Sequence, residues 1–195
     1  MNLLYDDFPT AVWLGGEERS IVTDFKDWLR FYDMLRDPDL NDNEKFSLAL
    51  QFYLEPSGLC VSWRPSEVLD PLIRFFRMDD AQPERETEDL GAEDESYQAA
   101  KPVFDYQYDA KYILAGFLHD YGIDLTRTQM HWWKFSALLS GLSEQTEFKQ
   151  RVMYRSTDVG QIKDPKERQR ILRIQRQIAI PGPKPSDFET GELFW

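Results

Sequence analysis

The chain of 195 residues carries 23 Lys and Arg against 35 Asp and Glu, a net charge of −12, and is 42% hydrophobic and 14% aromatic. Six Trp, thirteen Phe and nine Tyr suffice for a packed core, which excludes wholesale disorder. The acidic balance disfavours nucleic acid and anionic membrane surfaces, the single cysteine, Cys60, excludes an internal disulfide, and no apolar run nears the roughly 20 residues of a bilayer-spanning helix.

With no basic-then-apolar leader at its start, the chain is expected in a reducing, cytoplasmic setting, with Cys60 as a small buried hydrophobe. The pattern begins with strands. Thr10–Leu14 and Arg19–Val22 flank Gly15-Gly16, a pair that accepts the positive φ of a tight hairpin turn. Glu17 and Glu18 are expected at the exposed end. A lone hairpin is marginal in water, so this one must dock on something.

Helices follow. Thr23 or Asp24 caps the first, with Phe25, Trp28, Leu29 and Tyr32 on one face and Asp37-Pro38 as its stop. Asn41 or Asp42 opens the second, which carries Phe46, Ala49, Leu50 and Tyr53. Ser66 is the candidate cap of a third, with Leu69, Leu72, Ile73 and Phe76 in register and Pro71 delaying its start. Residues 79–101 then break the pattern, with nine carboxylates against Arg85 and Lys101 and too few apolar residues to offset the entropy of ordering them. They read as an acidic flexible linker. A tether for a basic partner is the functional alternative to simple solvation.

The second half is helical again. Leu114, Phe117, Leu118 and Tyr121 form one face, closed by Gly122. Thr126 or Thr128 opens the next helix, with Phe135, Leu138, Leu139 and Leu142 aligned, and Ser143 caps another. Pro165 fits the first turn of the last, which aligns Ile171, Ile174 and Ile178. Pro181, Pro183 and Pro185 end regular structure, and the tail closes on the apolar Leu193, Phe194 and Trp195. The expected fold is mainly α with a small N-terminal β-hairpin. It divides into residues 1–78, the linker 79–101, a helical region 102–180 and a Pro-rich tail 181–195.

Motifs for chemistry are missing. His119 and His131 are the two histidines, Asp120 beside His119 leaves a helix about 100° away from it, and no metal-binding His or Cys spacing exists, so no metal or cofactor is expected. Nucleophile elbows and phosphate-binding glycine runs are absent. Asp105 and Asp109 share a helical face at i, i+4 and read as surface acids. No catalytic residue is assigned, and the chain is expected not to be an enzyme. Nine basic residues lie between Lys149 and Arg176 against Asp158, Asp164 and Glu167. They read as a solvated helix face or as a cationic surface for an acidic partner, the chain's own linker included.

The runs TDFKDWLRF at 23–31, DAKYI at 109–113, DYGIDL at 120–125, HWWKF at 131–135, YRSTD at 154–158 and IKD at 162–164 resemble the bacteriophage gene-product-fifteen family of siphophages and prophages. The likeness covers roughly residues 1–180. Genes of that family lie between the major tail protein and the tape-measure protein. The resemblance therefore implies a tail-assembly chaperone in the host bacterial cytoplasm, with the tape-measure and tail-tube proteins as partners. A tail component retained in the virion is the alternative, and self-association is compatible with both. Trp132 and Trp133 point different ways on one helix, so one of them is expected to line a partner groove on the C-terminal helices, with burial of both between layers as the alternative. Phe135, Arg170 and Arg173 complete the candidate contact set.

Overall fold

A computed structural model describes residues 2–56, 64–79 and 102–181. Cys60, most of the acidic stretch 79–101 and the tail beyond Pro181 lie outside the described residues. The described residues of Met1–Glu93 and Leu125–Gly141 form one compact unit, and those of Asp94–Asp124 and Leu142–Trp195 form another. Leu125–Gly141, which a linear division places with the C-terminal helices, thus groups with the N-terminal ones.

The first unit opens with the hairpin, β1 (Ala11–Leu14) and β2 (Glu17–Ser20), in antiparallel register with Leu14 opposite Glu17. That register leaves a two-residue turn. Gly15 and Gly16 sit at φ +60° and +86°, as a primed turn requires. Glu17 and Glu18 open β2 beside the turn, and both are exposed, as expected. Val12 and Leu14 are buried and the hairpin packs on the third helix, so the docking that a lone hairpin needs is present.

α1 (Phe25–Arg36) is capped by Asp24, whose Oδ1 accepts from the Lys26 amide. Its buried face is Phe25, Trp28, Phe31 and Met34; Leu29 and Tyr32 are only half-buried. α2 (Asp42–Ala49) starts with a full capping box between Asn41 and Glu44 and tightens into a single 3-10 turn at Leu50–Phe52. Tyr53 then donates its hydroxyl to the Val68 carbonyl, and burial pushes that phenol's pKa up. α3 (Pro65–Arg77) does not wait for Ser66. Pro65 takes the first position, where its missing amide costs nothing, and the Glu67 carboxylate accepts from the Arg64 amide. The helix runs through Pro71, with Val68, Leu72 and Phe75 buried. Met78 ends it in the left-handed conformation at φ +60°.

The second unit holds α4 (Ala110–Tyr121) and, after the return of the chain, α6 (Glu147–Ser156), a 3-10 turn at Val159–Gln161 and α7 (Pro165–Gln177). α5 (Trp132–Ser140) lies between them in sequence and belongs to the first unit. Seven helices and one hairpin among the described residues make the fold mainly α with a small N-terminal hairpin. Thr146, not Ser143, caps α6. Gly116 lets α4 approach closely: a Cβ there would meet the Leu142 side chain at 3.1 Å. Leu118, expected on the inner face, is 48% exposed, while Ile113, Gly116 and Phe117 are buried.

The polar centre of this unit corrects the expectation of surface acids. Asp105 and Asp109 are buried. The Arg155 guanidinium grips Asp109 with two bonds, Nη1 to Oδ2 at 2.6 Å and Nη2 to Oδ1 at 3.0 Å. It also donates to the carbonyls of Val103 and Ile178. Asp109 Oδ2 in turn accepts from the Asp105 amide, and Asp105 Oδ1 from the amides of Gln107 and Tyr108. Removing one partner of such a pair strands the other charge. Asp109→Ala is therefore expected to destabilise the unit by about 3 kcal/mol or more. Urea unfolding followed by helical circular dichroism checks this, and a loss under about 1 kcal/mol would contradict the buried pairing.

Candidate functional site

Trp132 and Trp133 owe their positions to a match between two helices. At the end of α3 the Phe75 carbonyl accepts from the Met78 amide, and it and the Phe76 carbonyl can each accept a further donor. The Trp132 indole donates to the Phe76 carbonyl at 2.8 Å, and the Trp133 indole to the Phe75 carbonyl at 2.9 Å. Consecutive residues on α5 thus meet consecutive residues on α3. Both pairs diverge by about 100° along their own helix, so the divergence that suggested one outward ring is absorbed. Phe76 stacks on Trp132 at 4.7 Å, and Phe25 stacks on Phe135 at 4.7 Å. Trp132, Trp133 and Phe135 are all buried. Their role as groove-lining contacts is corrected: they are the core of the first unit.

Arg170 and Arg173 are exposed on α7. Arg170 pairs with Glu167 at 2.8 Å, and that carboxylate raises the guanidinium's pKa further. Lys166, Arg168 and Arg176 are exposed on the same helix, while Ile171 is buried and Ile174 half-buried. The exposure of these basic side chains fits a solvated helix face and a cationic surface alike.

The described residues offer little for catalysis. His119 Nδ1 and Asp120 Oδ1 do converge, at 2.7 Å, against the expectation from helix geometry. Ser143 anchors that carboxylate with its amide and its hydroxyl, at 2.7 and 3.0 Å. The Ser143 amide, and then the His119 ring, hold Asp120 below the usual carboxylate range. The hydroxyl is bonded to Asp120 rather than to the imidazole, so the trio closes the end of α4 and prepares no nucleophile. No group of three His, Cys, Asp or Glu among the described residues could hold a metal, and no described helix is long and apolar enough to cross a membrane.

The side chain that sequence reasoning passed over is Trp13. It is 70% exposed, between the buried Val12 and Leu14. A shallow groove runs beside it, lined by Trp13, Leu14, Pro71 and the α3 side chains Glu67, Asp70 and Arg74. Leu54, 61% exposed, follows Tyr53, and its amide donates to Ser20 at the end of β2. Strand periodicity carried the signal: residues 12 and 14 share one face, and residue 13 must take the other.

These placements separate two kinds of tryptophan. Trp133→Ala is expected to cost roughly 3–5 kcal/mol of stability through the cavity and the lost carbonyl bond. Trp13→Ala should stay within about 0.5 kcal/mol, as an exposed position does. Urea unfolding of both variants measures the contrast, and similar losses would refute it.

No curated protein and no solved structure matches the chain. A family model described as Bacteriophage Gp15 protein matches residues 4–180, so nearly the whole sequence is covered and the chain belongs to that family, among the structural and assembly proteins of bacteriophages.

Proposed function

We propose that this phage protein acts by binding rather than by catalysis, as a tail-assembly chaperone that keeps the tape-measure protein soluble and brings tail-tube subunits to it. The observation that carries the reading is Trp13. A tryptophan presented to solvent at 70% exposure, on a hairpin fixed to α3, is a rigid apolar anchor of the kind that dominates protein interfaces. The groove beside it, bounded by Pro71, accepts one apolar side chain of a partner, as when a helix lays its hydrophobic positions on a surface. Arg170 and Arg173 on α7 supply a second contact, one that attracts an acidic partner and weakens with salt.

Co-expression with the tape-measure protein of the same phage tests this reading through its soluble yield and co-purification. The native chain is expected to recover soluble tape measure. Trp13→Ala should lower the co-purified amount about tenfold or more, as loss of an interface anchor does. An insoluble tape measure with no complex would overturn the chaperone reading. The chain would then be sought by mass spectrometry in purified particles, where a retained tail component would be present at stoichiometric level.

A further inference from the structure

His131 stands where three parts of the first unit meet. Its ring stacks on Phe8 of the N-terminal segment at 4.9 Å and meets Phe75 of α3 edge-on at 5.7 Å. Its backbone lies in a short bridge with the start of α1: the Phe25 amide donates to Met130, the Trp132 amide donates to Thr23, and Asp24 Oδ2 accepts from the Met130 amide. Both ring nitrogens are engaged. Nε2 lies 2.9 Å from the Pro9 carbonyl, which can only accept, and Nδ1 lies 3.1 Å from the Trp133 amide, which can only donate. These partners fix one neutral tautomer, with the proton on Nε2 and the lone pair on Nδ1. Nδ1 is therefore the N-cap acceptor of α5.

A second proton must go onto Nδ1, the atom that accepts from Trp133. Protonation would set two donors against each other at the cap, while the Nε2–H bond to the Pro9 carbonyl would remain. We propose that His131 is an acid-sensitive latch on the start of α5, which in its neutral form holds the Trp133 amide and on protonation releases it.

The charged residues of the surrounding elements leave this balance to the ring itself. They are Asp6 and Asp7 on the N-terminal segment, Asp24 and Lys26 at the start of α1, Arg74 and Arg77 flanking the Phe75 turn of α3, and Lys134 on α5. Asp24, the acid tied to this bridge, is already committed to the Lys26 and Met130 amides. Burial lowers the imidazole's pKa and the Pro9 carbonyl partly opposes that shift. The sign follows. The released or unfolded chain takes up a proton near the ordinary histidine value of about 6.5, while the latched form resists it. The latch is at full strength above that pH and weakens as pH falls from there toward the lower pKa of the folded state.

The latch is independent of the tail-assembly reading, because it concerns the isolated chain. Hydrogen exchange of the native protein, read by mass spectrometry at pH 7.5 and 5.5 and corrected for intrinsic rates, tests it. Protection of peptides covering residues 130–135 is expected to fall at least tenfold more than that of peptides within α1. In His131→Asn, which keeps an acceptor for the cap but does not titrate, the differential should vanish. Equal protection at the two pH values in the native protein would overturn the latch, and so would an acid-induced loss that persists in His131→Asn.

Discussion

A guanidinium buried in a small helical unit has to be answered on nearly every N–H, and that requirement organises the second unit. Arg155 reaches Asp109 at the start of α4, Val103 before it and Ile178 at the end of α7. Three segments far apart in sequence are thereby held at one point. The apolar contacts around it, Phe148 against Phe104 and Gly116 against Leu142, are not directional and would tolerate sliding. The ion pair does not tolerate it, because a small displacement would leave a charge unpaired out of water. Such pairs contribute little net stability over a hydrophobic replacement; their effect here is to select one arrangement of α4, α6 and α7.

The described residues of the first unit solve a similar problem without buried charge. Their three buried indoles each donate to a backbone carbonyl: Trp28 to Val22, Trp132 to Phe76 and Trp133 to Phe75. The last two reach carbonyls of the final turn of α3, of which Phe75 also accepts from the Met78 amide. Met78 closes the same end in a left-handed conformation that a glycine would adopt more cheaply. An aromatic core can be built densely here because the N–H of each of these indoles reaches a backbone carbonyl.

Much of this architecture is legible in the sequence, and the illegible part has a common cause. The Gly-Gly turn, the caps at Asp24 and Asn41, and Pro165 at the head of α7 are local devices, whose chemistry acts within four residues. Helix faces were legible to within one position: α1 buries Phe31 and Met34 rather than Leu29 and Tyr32, because the partner surface and not the helix decides which edge of an apolar stripe turns inward. Asp109 looked like one surface acid among 35 Asp and Glu, since its partner lies 46 residues away. Trp132 and Trp133 misled for the same reason. Their divergence is a fact about one helix, whereas their burial is a fact about two. The attachment of Leu125–Gly141 to the N-terminal elements rests on the pairing of residues 23–25 with 130–132, which no local pattern announces.

What the fold leaves on its surface is then more informative than what it buries. Trp28, Trp132 and Trp133 are almost completely enclosed, so the chain has ample means to hide a large indole. Trp13 nevertheless stands outside, on a strand whose neighbouring positions, Val12 and Leu14, face the core. Turning it inward would need a one-residue slip of β1, and the Gly15-Gly16 turn with Leu14 opposite Glu17 forbids that slip. Its exposure is therefore a consequence of register and not of loose packing. A large apolar side chain held rigidly in water raises the risk of aggregation and gives the isolated fold little in return. On the binding role proposed above, a partner surface that covers the indole would account for both its rigidity and its exposure.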